Sequence, residues 1–536
     1  MANSHQLPQG PFDIPDIYDY IPRRLKPWIF IFFVIIIQLS GGVYLASVSQ
    51  MVGTTALMSE DIMMAGYASL IGMSINFAVM FRMKFRFSAR TQLLSACIVL
   101  IAANMICAYT DSVALLVTVC FVAGWFRMQA TFACNSTIQL WLTPVRDMSV
   151  FFSYVYLVVD GAIQLSGLAS VYVSFFSQWQ YMHWIIIGLL ALMMVVVLVC
   201  MRPVHVPLHI PLLGIDWIGA VLWTGFMMCF TFVCVYGDWL DWLESEEIII
   251  AISLCILFLC VNIWRATFLH HPYISIMVLT NRNMVRAIIV YVVFYTLIAT
   301  EHVFEHTYAM QILGFDETNL IDLNWYVFAG VLVGCAFTYI TFARCKWRYR
   351  TMTIIGFSLA VAYLAWFYFG IDYGVEKEDL FIPLFTRGVA TVVISIVFLT
   401  SIVQSGLPFM IFPQALAING FSSAVLGSVL GSAVIGELLQ SVMSRNVALI
   451  SSSATANYFS SHHISIGDFQ HMVQLQALIE SMKEIYGILL LFGLLVLILL
   501  FVSYNPIRPM AIFPKWKTIR RILRHNVRVL NRASNV

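Results

Sequence analysis

Nine ionisable side chains of this sequence fall inside long apolar runs rather than in the polar segments between them. They are Arg127, Asp160, Glu301, His302, Glu305, His306, Arg387, Glu437 and Arg445. Groups held away from water bind and release protons, pair with opposite charges or hold polar ligands, and keeping them in an apolar setting costs free energy. These residues are therefore the candidates for chemistry.

The densest group lies in the hexapeptide 301–306. In a helix its two glutamates and two histidines fit within an arc of about 140°, and Tyr291 and Tyr295 fall on the same side. Two carboxylates one turn apart repel each other, which favours protonation of one of them, and a neighbouring histidine titrates near neutrality. We therefore predict proton handling here, with Glu305 as the carrier. A cluster of hydrogen bonds in an outer vestibule is the alternative.

The same hexapeptide also spells the zinc-protease pattern H-x-x-E-H, from His302 to His306. In that pattern two histidines bind zinc and the glutamate acts as a base. No third ligand is evident, and motifs of this length often occur by chance. We therefore expect no metal site, no catalytic residue and no cofactor, and we keep a membrane-embedded metal-dependent hydrolase as an alternative.

A second polar group follows one face of a predicted helix over 148–174. Its members recur every three or four residues: Ser149, Ser153, Tyr156, Asp160, Gln164 and Gly167. Such a stripe faces protein or water rather than lipid. Asp160 lies about 12 residues into this helix, roughly 18 Å along its axis and near the bilayer midplane. Arg127 lies at a similar depth on the preceding helix. We therefore predict that Arg127 and Asp160 interact directly or through one water, either in a cavity or as a static ion pair.

The apolar runs themselves define the class of protein. The chain of 536 residues is 61% hydrophobic and only 10% charged, whereas soluble domains carry about a quarter charged residues. About 20 apolar residues suffice to cross a bilayer, and in lipid only a helix satisfies its own backbone over that length. Fourteen segments qualify as predicted helices 1 to 14: 27–51, 62–81, 91–109, 113–140, 148–174, 181–201, 215–236, 248–268, 284–312, 324–343, 351–371, 380–406, 421–449 and 484–504.

The loops support this count, because their charge alternates. Lys and Arg concentrate after even-numbered helices, as at Arg82, Lys84, Arg344 and Lys346, whereas Asp and Glu concentrate in the other loops. Basic loops stay in the cytoplasm, so both termini are predicted to be cytoplasmic. The basic tail at 505–536 is expected to lie on anionic lipid.

Four further expectations follow from composition and residue pattern. No signal peptide is expected, because the chain opens with 26 largely polar residues. No disulfide is expected, since the 11 cysteines lie in apolar runs or predicted cytoplasmic loops. The net charge of +2 gives no reason to expect a nucleic-acid partner. An amphipathic stretch from Ile466 to Ile485 is expected to lie on the membrane surface.

Several short motifs carry a family resemblance. His271-Pro272 followed by Leu279-Thr280-Asn281-Arg282-Asn283, the segment 308–315, and Trp179-Gln180-Tyr181 are similar to motifs of the EmrB/QacA-type drug:proton antiporters. These are the fourteen-helix branch of the major facilitator superfamily. The resemblance implies an all-α polytopic fold in the cell (inner) membrane. It divides the chain into a cytoplasmic segment 1–26, a six-helix bundle 27–201, two inserted helices 202–270, a second six-helix bundle 271–504 and the tail 505–536.

The sequence departs from the family at the usual proton-coupling positions. The helix-1 carboxylate has no counterpart, and Cys120 replaces the family's helix-4 arginine. Either the chain is not a standard antiporter, or coupling has moved to Asp160, Glu437 and the hexapeptide 301–306. The substrate cavity is then predicted to contain Arg127, Tyr156, Asp160, Gln164, Tyr291, Tyr295, Arg387 and Arg445.

The resemblance implies a secondary active transporter rather than an enzyme. Its expected activity is proton-coupled efflux of amphipathic organic compounds or drugs by alternating access. Its expected partners are a small-molecule substrate, the lipid bilayer and, as in some relatives, a periplasmic adaptor protein. A family member that serves as a scaffold without transport is a further alternative.

Overall fold

The computed structural model describes residues 16–502, apart from 42, 47, 53, 55–56, 144–146, 205–213, 406, 409–410 and 454–465. The predicted basic tail at 505–536 lies outside the described residues. Helices dominate the described part of the chain, where the only β-pairing is an isolated bridge between Ile17 and Met201.

We number the helices in the order of the predicted spans. They are α1 Lys26–Leu39, α2 Ser59–Phe77, α3 Ala89–Cys107, α4 Val113–Leu142, α5 Met148–Phe176, α6 Gln180–Cys200, α7 Trp217–Tyr236, α8 Glu246–Phe268, α9 Arg282–Ile312, α10 Asn319–Arg344, α11 Tyr349–Gly370, α12 Lys377–Val403, α13 Phe412–Ser452 and α14 Gly467–Val502.

Twelve of these helices, α3 to α14, are long and apolar enough to cross a membrane. A thirteenth span results if α2 is joined to the helix Met80–Arg86, from which it is bent by 65°. With 14 residues, α1 is a shorter apolar helix. The chain is thus a multi-pass membrane protein, whereas the count of fourteen spans and the cytoplasmic termini stay predictions.

The predicted first helix is broken rather than continuous. After α1 the chain turns and forms two short helices, Val43–Ala46 and Val48–Val52. Gly41 lies in this break, where an added Cβ would stand 1.5 Å from Nη1 of Arg127. The missing side chain therefore makes room for the guanidinium of α4 directly against the break.

Glycines also bring α2 and α4 into close contact. A Cβ at Gly72 would lie 2.2 Å from the carbonyl oxygen of Phe121, and one at Gly124 would lie 1.9 Å from that of Ser69. Only residues without a side chain allow two helix backbones to approach so closely.

The helices α10 and α12 repeat this arrangement in the second part of the chain. A Cβ at Gly330 would lie 2.4 Å from the carbonyl oxygen of Phe385, and one at Gly388 would lie 2.5 Å from that of Val327. In each predicted six-helix bundle, close packing of helices thus depends on glycine.

Two helix pairs form the most extensive contacts between the two predicted bundles. The first pair is α5 and α10, where Gly161 faces the ring of Phe328. In the second pair, α2 packs on the first part of α13, with Ser74 against Gly420. These pairs set which polar residues of one bundle face the other.

We name the two ends of the helices by their charge. The basic face is the end that carries Arg82, Lys84, Arg344 and Lys346, and it is the predicted cytoplasmic side. The acidic face is the opposite end, which carries Glu60, Asp238, Asp241 and Asp322.

The expectation that the amphipathic stretch 466–485 lies on the membrane surface is wrong. The stretch instead forms one continuous helix with the last span, from Ile466 to Val502. Its apolar side, including Ala477 and Met482, is buried against α11 and α13. The amphipathic pattern therefore marks packing on protein.

Four of the long helices contain π-helical turns. They occupy Tyr156–Asp160 in α5, Glu301–Glu305 and Tyr308–Ile312 in α9, Tyr339–Arg344 in α10 and Ser422–Val429 in α13. A π-turn inserts an extra residue into a helix and is frequent at functional sites. In this chain, two of these turns contain predicted proton-handling carboxylates.

Candidate functional site

Arg387 on α12 lies between the two glutamates of α9. It forms an ion pair with Glu301, and its Nη2 lies 3.4 Å from Oε2 of Glu305. The arginine is 7% exposed. The sequence predicted the two glutamates as one group and Arg387 as a separate cavity residue, and the structure brings all three together.

Three hydroxyl-bearing residues surround this charge cluster. Tyr363 on α11 donates a 2.7 Å hydrogen bond to Oε1 of Glu305 and lies 3.3 Å from the hydroxyl of Thr300. Tyr486 on α14 is fully buried and contributes its ring and hydroxyl to the same region. Sequence reasoning missed all three, because a lone hydroxyl in an apolar helix is common and gives no signal of its own.

A tyrosine and serine cluster lies about two turns earlier on α9. The hydroxyls of Tyr291 and Tyr295 lie 3.3 Å and 3.0 Å from Oγ of Ser395 on α12. Tyr156 on α5 approaches Tyr291 and Ser395, and Ser423 on α13 approaches Tyr291. Because α5 belongs to the first predicted bundle and the others to the second, this cluster spans the boundary between bundles.

Asp160 and Arg127 do not form the predicted ion pair. Among the described residues, the half-buried carboxylate of Asp160 has no cationic partner within 4.0 Å. It faces α10 instead, near Cys335 and one turn from Tyr156. The prediction of direct contact is wrong, because the π-turn that ends at Asp160 changes the direction in which its side chain leaves α5.

Arg127 lies within the first predicted bundle. Its Nε and Nη2 lie 3.2 Å and 2.5 Å from the sulfur of Met73 on α2, and it is 2% exposed. Its Nη1 has no hydrogen-bond partner within the described part of the chain. A thioether is only a weak acceptor, so this buried cation is poorly compensated.

A layer of buried amides lies one turn from Arg127. Gln38 on α1 donates a 2.7 Å hydrogen bond to Thr131 on α4, and Asn76 on α2 lies one turn from Met73. Oε1 of Gln38 and both amide atoms of Asn76 have no hydrogen-bond partner among the described residues. Sequence reasoning missed both, since single amides occur in many membrane helices.

Two predicted site residues contact groups other than those of these clusters. Glu437 is exposed and accepts a 2.8 Å hydrogen bond from the indole of Trp242, in the loop after α7 at the acidic face. Arg445 is also exposed and lies 2.5 Å from Glu484 of α14. Glu484 lines a cavity of about 620 Å³ between α11, α13 and α14. The expectation that both are buried is wrong, because α13 extends further at the acidic face than its apolar run indicated.

Three predicted site residues remain, on α5 and α9. Gln164 is half-buried on α5, and His306 is exposed. The side chain of His302 lies outside the described residues. No group of three or more His, Cys, Asp or Glu within the described part is arranged to hold a metal ion. Glu305, the base in the hydrolase alternative, instead contacts Arg387 and Tyr363.

Polar contacts join the predicted bundles at both ends. At the basic face Lys346 donates a hydrogen bond to the carboxylate of Asp147, which lies just before α5. Toward the acidic face the indole of Trp325 on α10 donates a 3.2 Å hydrogen bond to the hydroxyl of Tyr172 on α5. The charge cluster and the tyrosine cluster are thus held in a molecule whose bundles touch on both sides.

Comparison with known proteins places this fold. No protein-family model matches the sequence, and no curated protein matches it either. Solved structures do match over nearly the whole chain. A mutant POT peptide transporter in complex with alafosfalin has a TM-score of 0.59 and 13% identity, covering 91% of this chain and 96% of that one.

Two further structures agree with this match. An auto-inhibited peptide transporter of the POT family has a TM-score of 0.52 and 13% identity, covering 92% and 99% of the two chains. The nucleoside transporter NupG, as a mutant, has a TM-score of 0.53 and 12% identity, covering 88% and 99%. At these identities the likeness establishes the fold. The chain therefore shares the fold of these peptide and nucleoside transporters, in agreement with the all-α polytopic fold expected from its sequence.

Proposed function

We propose that this chain is a secondary active transporter that couples proton movement to the export of an amphipathic organic compound. Transport would proceed by alternating access between the bundles 27–201 and 271–504. The observation that carries the proposal is the cluster of buried Arg387 with half-buried Glu301 and Glu305 within a transporter fold. Buried charges in membrane proteins commonly mark proton or substrate paths.

The charge balance of this cluster favours proton binding. Two carboxylates share one guanidinium, so the group carries an excess negative charge when both are ionised. In an apolar setting a single proton relieves that excess, because it removes the repulsion between the carboxylates. Glu301 is the closer partner of Arg387, whereas Glu305 also accepts a hydrogen bond from Tyr363. We therefore assign the proton to Glu305 and the lasting ion pair to Glu301.

We expect α9 to couple proton binding at Glu305 to movement of the bundles. Glu305 ends a π-helical turn, and a second π-turn begins three residues later. Protonation of Glu305 weakens its attraction to Arg387 on α12 and lets this part of α9 change its packing. The tyrosines of the same helix touch Tyr156 of the other bundle, so the change reaches the boundary between bundles.

Asp160 is the competing proton carrier. It has no cationic partner in the described chain and lies at the contact between α5 and α10. An ion pair with Arg127 would keep Asp160 ionised and unsuited to carrying a proton, but the described residues contain no such pair. The two carboxylates therefore need a direct experimental comparison.

The experiment measures substrate-induced proton flux in proteoliposomes, with Glu305→Gln and Asp160→Asn as matched neutral variants. We expect Glu305→Gln, which mimics the protonated form, to abolish proton-driven transport and to retain substrate binding and energy-independent exchange. Normal transport by Glu305→Gln together with loss in Asp160→Asn would assign the proton to the other carboxylate. No substrate-dependent proton flux in the unmodified protein, across a panel of amphipathic compounds, would refute proton coupling.

A further inference from the structure

The first predicted bundle contains a group of buried polar side chains, one of them a cation, that the proton cluster does not use. It is formed by α1, α2 and α4, and its polar members are Arg127, Gln38, Asn76 and Thr131. The first three are 2%, 0% and 0% exposed. The glycine in the break of α1 places the guanidinium against this helix.

Several polar atoms of this group have no hydrogen-bond partner among the described residues. Nη1 of Arg127 and Nδ2 of Asn76 are donors without an acceptor among the described residues, and Oε1 of Gln38 is an acceptor without a donor there. Within the same part of the chain, no Asp or Glu lies within 4.0 Å of Arg127. A buried guanidinium without an anion is costly in an apolar setting.

A carboxylate meets these needs better than other groups. The planar guanidinium binds two carboxylate oxygens side by side, which a hydroxyl or an amide does not reproduce. The amide of Asn76 supplies a further N–H to the same oxygens. A neutral or cationic headgroup would leave the charge of Arg127 uncompensated.

We propose that Arg127, with Asn76 and Gln38, binds the carboxylate of the transported compound, so that the substrate class is amphipathic organic acids. This inference rests on the proposed transport function. It names the class of substrate that the first bundle binds. The apolar part of the substrate lies against the methionine and aromatic side chains of α2 and α4, among them Met73.

The test uses three probes of matched shape on the purified full chain: 2-naphthoate, 2-naphthamide and 2-naphthylmethylammonium. Binding is followed by thermal stabilisation and by direct titration. We expect 2-naphthoate to bind at least about tenfold more tightly than the amide, since only the acid pairs with the guanidinium. Arg127→Met should remove that preference, Arg127→Lys should keep part of it, and Arg86→Met, at an exposed arginine toward the basic face, should leave it unchanged.

Other outcomes contradict the proposal. Preference for the ammonium probe that depends on Asp160 would assign an organic cation to the cavity, and equal binding or no binding of all three probes would refute the carboxylate site. If Arg127→Met does not fold, Gly41→Ala serves instead, because its new methyl group displaces the guanidinium without removing the charge. Gly41→Ala with an unchanged preference for the acid would also refute the site.

Failure of this inference is distinguishable from failure of the proposed function. Binding is measured without a membrane and without a proton gradient. A protein that binds 2-naphthoate through Arg127 but does not move it in proteoliposomes would keep the site and refute transport of this probe.

Discussion

Lys346 donates a hydrogen bond to the carboxylate of Asp147, although 199 residues separate them in the sequence. The pair joins the segment before α5 to the segment after α10 and so ties the predicted bundles together at the basic face. Lys346 adopts a left-handed backbone conformation with φ of 54°, which is unfavourable for a residue with a side chain. Because Lys346 is strained and forms the contact between the bundles, we expect opening to begin there.

The first prediction concerns this ion pair. Lys346→Ala should favour opening of the basic face, because it removes the ammonium group that pairs with Asp147 across the two bundles. Cys335 is 2% exposed and packs with Phe152 beneath this contact, so its labelling by a maleimide should increase severalfold. Lys346→Arg is the control that keeps the charge. Equal labelling of Cys335 in the alanine variant and the unmodified protein would show that the pair does not hold the bundles together.

The second prediction concerns pH and salt. Partial burial works to raise the pKa of Asp147, but hydrogen bonds from Lys346 and Ser149 and the lysine charge outweigh it, so the pKa lies below its ordinary value of 3.8. A carboxyl whose pKa is depressed by folding contributes stability above the ordinary value and loses it as pH falls through the lowered one.

Labelling of Cys335, normalised to the Asp147→Asn variant, should therefore stay constant from about pH 5 to 8. It should increase with ionic strength, since exposed charges are screened. A rise in labelling between pH 7 and pH 5 at constant salt would identify a different group as the one that holds the basic face closed.

The third prediction concerns the charge cluster. Arg387→Met removes the buried cation that two half-buried carboxylates share and should destabilise the protein by about 3 kcal/mol. Adding Glu301→Gln and Glu305→Gln removes the uncompensated charge and should recover most of that loss. The measurement is the unfolding midpoint in detergent. If the triple variant is no more stable than Arg387→Met alone, packing rather than charge explains the effect.

The fourth prediction concerns the glycine contact between α2 and α4. Gly124→Ala places a methyl group within 1.9 Å of a backbone oxygen, which cannot move as a flexible side chain would. We expect a loss of about 1–3 kcal/mol in stability. Gly188→Ala on α6 is the matched control, since no atom lies within 4 Å of its added Cβ. Equal unfolding midpoints for both variants would contradict close packing of α2 on α4.

The fifth prediction concerns orientation. Cys345 is exposed at the basic face, and Trp242 lies in the loop after α7 at the acidic face. A membrane-impermeant maleimide added to intact cells should label Trp242→Cys and should not label Cys345. Labelling of Cys345 from outside would reverse the predicted topology.

The sequence by itself determined where the helices lie. Predicted and observed spans agree closely for most helices; the seventh, for instance, was expected at 215–236 and runs from Trp217 to Tyr236. The reason is local: in lipid a chain segment must satisfy its own backbone, so length and hydropathy suffice to locate a span. The buried charges of α4, α5, α9 and α12 were found for the same reason, because an ionisable residue in an apolar run is visible without knowing its neighbours.

Only the tertiary structure decided which of these charges meet. The depth of a residue along its helix can be read from the sequence. This reading correctly placed Arg127 and Asp160 within apolar runs. Direction around the helix axis depends on packing, and a π-turn alters it by adding a residue that no sequence periodicity reveals. Arg127 therefore lies against α1 and α2, Asp160 faces α10, and Arg387 lies between Glu301 and Glu305, which are 86 and 82 positions away in the sequence.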